Sequence, residues 1–248
     1  MPRRTLYQSP KVQPDEWHRT WPSEPLSDEP PRAVYQNACA QIATAIAPLG
    51  FKYAKSKQEC KRERLGFGNT ISFQSSHSNV RGAHVQLWMH ATVSSAVLQA
   101  WQAERLTVGM VRPVFAGGMV HLLGSRYAML EWELADPGDR AATIADAVSF
   151  IHEEVIPYFA LFERPTELID YLQSKELPGL WLSESVDFAY CFGDKQKAQG
   201  VLNRFVRDHP EFDKPAERTE DMPLPGKIYR TGNYSKQIAS LRSRYQLD

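Results

Sequence analysis

The sequence predicts an α+β protein in which helices pack against an antiparallel β-sheet. Seven of the 17 prolines lie before residue 32, and short alternating polar and apolar segments fill the middle of the chain. After residue 139, apolar residues recur at helical spacing. We therefore expect an extended Pro-rich arm over 1–31, an α+β domain over 32–176 and a helical C-terminal region over 177–248.

The elements of the domain follow from periodicity and turn residues. One apolar stripe predicts a helix over 32–48, and Ser94 is expected to cap a second helix that ends near residue 104. Residues 66–69 are interpreted as a turn, and 124–126 as a hairpin-like connection between two apolar runs. The predicted strands and apolar runs are 51–54, 59–65, 70–76, 83–92, 118–123 and 127–134.

The rest of the chain is predicted to be helical. Apolar residues at 144, 148, 151 and 155 share one helical face, and Pro157 is expected to kink or end that helix. The segments 183–192 and 195–208, joined at Gly193, are typical of a helical hairpin. The other predicted helices are 167–174 and 234–246.

The overall composition of the 248 residues excludes some classes of protein. Lys plus Arg and Asp plus Glu each total 29, so the chain is neither a DNA-mimicking acidic protein nor strongly basic. No apolar stretch is long enough to span a membrane, and no secretion signal is expected at the start. Three scattered cysteines suit a reducing compartment, so we expect a cytoplasmic protein.

Alternation along three strands predicts a sheet with one apolar and one polar face. In 83–91 the odd positions are apolar, and the even positions carry His, Gln, Trp and His. A tryptophan among hydrogen-bonding residues is typical of a binding hot spot, although the arm or the C-terminal helices could cover this face instead. The predicted partner-binding residues are Gln74, His84, Gln86, Trp88, His90, Glu131 and Glu133.

The sequence contains no recognised catalytic or cofactor motif. It lacks a P-loop, a G-x-S-x-G elbow, an H-E-x-x-H pair and a C-x-x-C pair, so we expect no cofactor. His84 and His90 lie about 20 Å apart on an extended strand, too far to share a metal ion. Two alternatives stay open: a hydrolase that uses His84 or His90 with Glu131 or Glu133, and a nucleic-acid adaptor that uses the basic segment 52–64 and the last helix.

Several segments resemble a bacterial family of unknown function. These are Ala47-Pro-Leu-Gly-Phe-Lys52 after a helix, Ile71-Ser-Phe-Gln-Ser75, Val85-Gln-Leu-Trp88 and Ile156-Pro-Tyr-Phe159. Members of that family often accompany polymorphic toxins as immunity proteins, and the chain is similar to the partner of a type VI secretion nuclease effector. The resemblance implies a non-enzymatic inhibitor that binds its cognate toxin and blocks its active site or its assembly.

Overall fold

The computed structural model describes residues 5–8, 29–105, 113–118, 122, 128–213 and 234–248. It confirms the predicted α+β class: an antiparallel sheet packed by helices, with further helices towards the C-terminus. Most of the predicted Pro-rich arm lies outside the described residues. Its segment Thr5–Gln8 forms an extended strand, β1, at one edge of the sheet.

In the part of the chain that the structure describes, the sheet has seven strands in the order β1-β7-β5-β4-β3-β2, and β6 also pairs with β5. Every pairing is antiparallel. β6 and β7 pair with successive parts of β5 opposite its β4 side. The predicted hairpin-like connection 124–126 and most of the run 118–123 lie outside the described residues. The remaining strands are β2 (Lys52–Ala54), β3 (Glu59–Arg64), β4 (Phe67–Ser75), β5 (Gln86–Ser95), β6 (Phe115–Gly118) and β7 (Ala128–Glu133).

Two predictions from local sequence signals, a turn over 66–69 and a helix cap at Ser94, were wrong. The turn after β3 consists of Leu65 and Gly66, and β4 already begins at Phe67. Ser94 does not cap a helix, because β5 runs through Ser95. In both cases a cross-strand ladder extends the strand: Phe67 pairs with Arg64 and also with Ser95. Tertiary pairing has therefore overridden the local turn and capping signals.

The helices match the predicted periodicity closely. Pro157 does not end its helix, because a π-helical turn over Ile151–Val155 joins α3 to α4 and accommodates the missing proline N–H. The helices are α1 (Pro31–Ile46), α2 (Ala96–Arg105), α3 (Pro137–Phe150), α4 (Ile156–Phe162), α5 (Pro165–Ser174), α6 (Leu182–Phe192), α7 (Lys195–Asp208) and α8 (Tyr234–Tyr245).

The chain forms two compact units. The first comprises Met1–Ser95 and Phe115–Glu163, and the second comprises Ala96–Val114 and Arg164–Asp248. The division falls before α5, whereas the sequence predicts a boundary near residue 176. α5 belongs with the second unit because it packs against α6 and α7.

The core of the first unit lies between one face of the sheet and the helices α1, α3 and α4. Buried Ile71, Leu87 and Met89 line this inner face. Aromatic pairs join it to the helices, with ring centroids 5.8 Å apart for Trp132–Phe150 and 6.5 Å apart for Phe67–Phe162. Because the inner face is closed by helices, the opposite face of the sheet carries the predicted site.

The core of the second unit contains a buried carboxylate, Asp187, only 4% exposed. Tyr245 Oη donates to Oδ1 at 2.6 Å, and Gln102 Nε2 donates to Oδ2 at 3.1 Å. Burial raises the pKa of Asp187, although these hydrogen bonds oppose the shift. A perturbed acid can mark an active site, but both oxygens here are engaged inside a closed core. We therefore assign Asp187 a structural role.

Candidate functional site

The strand register brings the predicted residues of the sheet onto one face. Trp88 on β5 lies opposite Gln74 on β4 and opposite Glu131 on β7, so these three form one row across the sheet. Gln86 lies opposite Glu133 in the next row. Residues directly opposite one another in a sheet share a face, so the polar side chains converge as the alternation predicts.

His84 and Glu133 form an internal clamp at the start of β5. The Glu133 carboxylate accepts hydrogen bonds from the backbone N–H of Val85 at 2.6 Å and of Ala135 at 3.0 Å, and it pairs with His84 Nδ1. His84 is held in place by a tight turn, because Val80 N donates to its carbonyl oxygen at 2.7 Å. With 5% of its surface exposed, His84 stabilises the fold here and offers little to a partner.

The clamp sets the protonation of Glu133. Burial raises the pKa of this carboxyl, but the hydrogen bonds from His84, Val85 and Ala135 and the charge of His84 outweigh burial, so the net pKa is lowered. The folded state therefore prefers the ionised carboxylate. This preference stabilises the fold fully above the unfolded pKa, near 4.5, and is lost as the pH falls through the lower folded value.

Glu133→Gln is expected to lower the free energy of unfolding by under about 1 kcal/mol at neutral pH, because the Glu133 side chain is 45% exposed and solvent screens the pair. The difference from the wild type should shrink as the pH falls below about 4.5 and the wild-type carboxylate becomes protonated. Urea titrations at several pH values measure this. A difference that stays constant down to the lowest pH would contradict the assigned clamp.

Gln86 and Glu131 also hydrogen-bond to each other. The Gln86 side-chain amide donates to the Glu131 carboxylate, and both residues are buried, at 6% and 9% exposure. The backbone N–H of Gln86 donates to Asn79 Oδ1 at 3.0 Å, which ties the preceding loop to β5. Asn79 lies in a segment without periodicity, so sequence reasoning missed it.

The three remaining predicted residues, Gln74, Trp88 and His90, form a more open group together with two neighbours that were not predicted, Ser72 and Thr92. We call these five residues the outer-face patch. Gln74 is exposed and the other four are half-buried. His90 Nε2 lies 2.8 Å from Gln74 Oε1, and because an amide oxygen only accepts, Nε2 carries the hydrogen. Burial lowers the pKa of His90, which favours its neutral form.

Trp88 is the largest side chain of the outer-face patch. Its Nε1 is buried and has no hydrogen-bond partner among the described residues. Ser72 pairs with His90 in the next row of the sheet, and Thr92 pairs with Thr70 in the row after that. The patch thus combines one large aromatic ring with hydroxyl, amide and imidazole groups, and it carries no formal charge when His90 is neutral.

The predicted catalytic alternative needs His84 or His90 beside Glu131 or Glu133. Of its four side chains, His84 and Glu133 are in contact, whereas His90 bonds to Gln74 and Glu131 to Gln86. Within the described ranges, no group of three or more His, Cys, Asp or Glu side chains could hold a metal ion. These contacts divide the outer face into two parts. One is the outer-face patch, and the other is an internally bonded margin formed by the pairs His84–Glu133 and Gln86–Glu131.

The basic segment 52–64 is partly neutralised by acids. Lys61 Nζ lies 2.7 Å from Glu59, and Arg64 Nε lies 2.9 Å from Glu163. Arg62 is buried and its guanidinium lies 3.6 Å from the same Glu163. Half of the six basic residues of this segment are thus ion-paired, which weakens the attraction to a polyanion.

These features define an α+β protein with a half-open polar and aromatic sheet face. Comparison with protein-family models, with curated proteins and with solved structures gives no match. The resemblance to toxin-associated immunity proteins therefore stays a prediction. In the described part of the chain, no helix is both long and apolar enough to cross a membrane.

Proposed function

We propose that this chain is an immunity protein that binds a cognate toxin, a nuclease effector acting in the cytoplasm, and neutralises it. The observation that carries the proposal is the outer-face patch, with half-buried Trp88 as its largest side chain. Tryptophan supplies more contact area than most side chains at a low entropic cost, and it is enriched among residues that dominate binding energy. The proposed contact surface is the outer face of β4, β5 and β7.

The chemistry of the patch favours a protein partner. Gln74 and His90 already hydrogen-bond to each other, which restricts the motion of both side chains before a partner arrives. Such preorganisation lowers the conformational entropy lost on binding. The lack of formal charge at the centre of the patch matches the depletion of charged residues at the cores of protein interfaces.

The expected mechanism is steric. A sheet face is a broad and rigid surface, because its backbone is fixed by hydrogen bonds to strands on both sides. A toxin that docks on it through its active site, or through the surface it uses to assemble, loses access to substrate without any chemical step on the inhibitor. The charge pairing in 52–64 supports this proposal over the nucleic-acid adaptor.

The proposal is tested by co-expression with the product of the gene adjacent to the one that encodes this chain. We expect growth in cells that make both proteins, growth arrest in cells that make the adjacent product alone, and a stable complex by size-exclusion chromatography with light scattering. A catalytically inactive toxin variant serves as the binding probe in solution. Growth arrest in both strains and no complex would refute the proposed function.

A further inference from the structure

The turn between β3 and β4 holds an exposed leucine in an unfavourable backbone conformation. Leu65 is 70% exposed and has φ of 49°, and Gly66 follows with φ of 84°. Two successive positive φ angles are typical of a type I′ hairpin turn, for which Asn-Gly is the preferred sequence. Leucine at the first position therefore strains the turn and exposes an apolar side chain to water.

A second turn in the same sheet shows how a strained residue can benefit the fold. Gln58, between β2 and β3, has φ of 53°. Its side chain accepts a hydrogen bond from Tyr53 Oη at 2.8 Å and donates one to the carbonyl of Lys55 at 2.7 Å. A leucine side chain can form no hydrogen bonds. Leu65 therefore cannot stabilise its own turn in the way that Gln58 stabilises the turn between β2 and β3.

The base of this hairpin is firmly anchored, which fixes the position of Leu65. Phe67 is 2% exposed and packs on Phe162, with ring centroids 6.5 Å apart. Arg64 Nε lies 2.9 Å from Glu163, yet the Arg64 side chain is 60% exposed. Its terminal guanidinium nitrogens have no partner among the described residues, so they remain available beside Leu65.

We infer that the tip of the β3–β4 hairpin is a second contact with the toxin, and this inference rests on the proposed function. Leu65 enters an apolar pocket of the toxin, and the terminal nitrogens of Arg64 pair with a carboxylate at the rim of that pocket. The chemistry of the hairpin tip indicates what the toxin presents to it. An aliphatic side chain binds in an apolar pocket, and an exposed guanidinium pairs with a carboxylate. The strain at Leu65 is then retained for binding.

Leu65→Asn separates this role from a structural one. Asn-Gly suits the type I′ turn, so we expect the variant to melt about 2–4 °C above the wild type. Its affinity for the inactive toxin should nevertheless fall at least about tenfold, because the apolar anchor is lost. Calorimetric melting and isothermal titration against that toxin measure the two effects. A variant that binds less while folding better could not owe its defect to misfolding.

Two controls make the result decisive. Val97→Asn replaces another exposed apolar residue, 57% exposed on α2, and should leave the affinity unchanged. Leu65→Gly introduces a residue that adopts positive φ without strain, and it should weaken binding as Leu65→Asn does. If wild-type protein binds the toxin but both Leu65 variants bind equally well, the inference is overturned and the proposed function stands. If wild-type protein fails to bind, both are refuted.

Discussion

Trp132→Ala is expected to lower the free energy of unfolding of the first unit by about 3–5 kcal/mol, the usual range for a large aromatic residue removed from a core. Trp132 is 2% exposed and packs edge-on against Phe150, with ring centroids 5.8 Å apart. Its Nε1 also donates to Asp146 Oδ2 at 2.9 Å, which joins β7 to α3. Alanine would leave a cavity between the sheet and the helix and would lose that hydrogen bond.

Urea unfolding followed by circular dichroism measures the total loss, and hydrogen exchange at the amides of β5 and β7 localises it. Trp132→Phe should cost less, because a ring still fills most of the space. Trp181→Ala is the matched control: Trp181 is 41% exposed, so its removal should change stability by about 0.5 kcal/mol or less. Equal losses for Trp132→Ala and Trp181→Ala would contradict the described core.

The sequence predicts the strands and helices better than it predicts how the strands pair. Alternation identifies β4, β5 and β7, and helical spacing identifies α7 with its bounds. The pairing of both β6 and β7 with β5 depends on long-range contacts, which leave no local pattern. The extension of β4 to Phe67 has the same origin, because its ladder outweighs the turn signal of Gly66 and Gly68.

The face of each site residue could also be predicted, but its hydrogen-bond partners could not. The period of two places Gln86, Trp88 and His90 on one side of β5. Glu133, however, turns its carboxylate back onto the backbone of Val85 and Ala135, and such a contact depends on how strand ends meet in space. For this reason the sequence predicts seven equivalent site residues, whereas the structure divides them into an internally bonded margin and a more open patch.

That division leads to the sharpest functional expectation. Trp88→Ala should weaken binding to the inactive toxin by at least about 30-fold, the effect typical of an aromatic hot spot, mainly through faster dissociation. The loss follows from the size of the Trp88 side chain, the largest of the outer-face patch, and from its position on β5 between Gln74 of β4 and Glu131 of β7. Surface plasmon resonance measures both rate constants, and growth protection by the co-expressed variant measures the consequence in cells.

Trp181→Ala again provides a matched comparison, since it removes an exposed tryptophan from the second unit. It should bind and protect like the wild type, whereas Trp88→Ala should fail to protect although its circular dichroism spectrum is unchanged. Trp88→Phe should lie between the two, because it keeps an aromatic ring but less contact area. If Trp88→Ala binds within about twofold of the wild type, the energy of the complex lies elsewhere and the outer-face patch is not the contact surface.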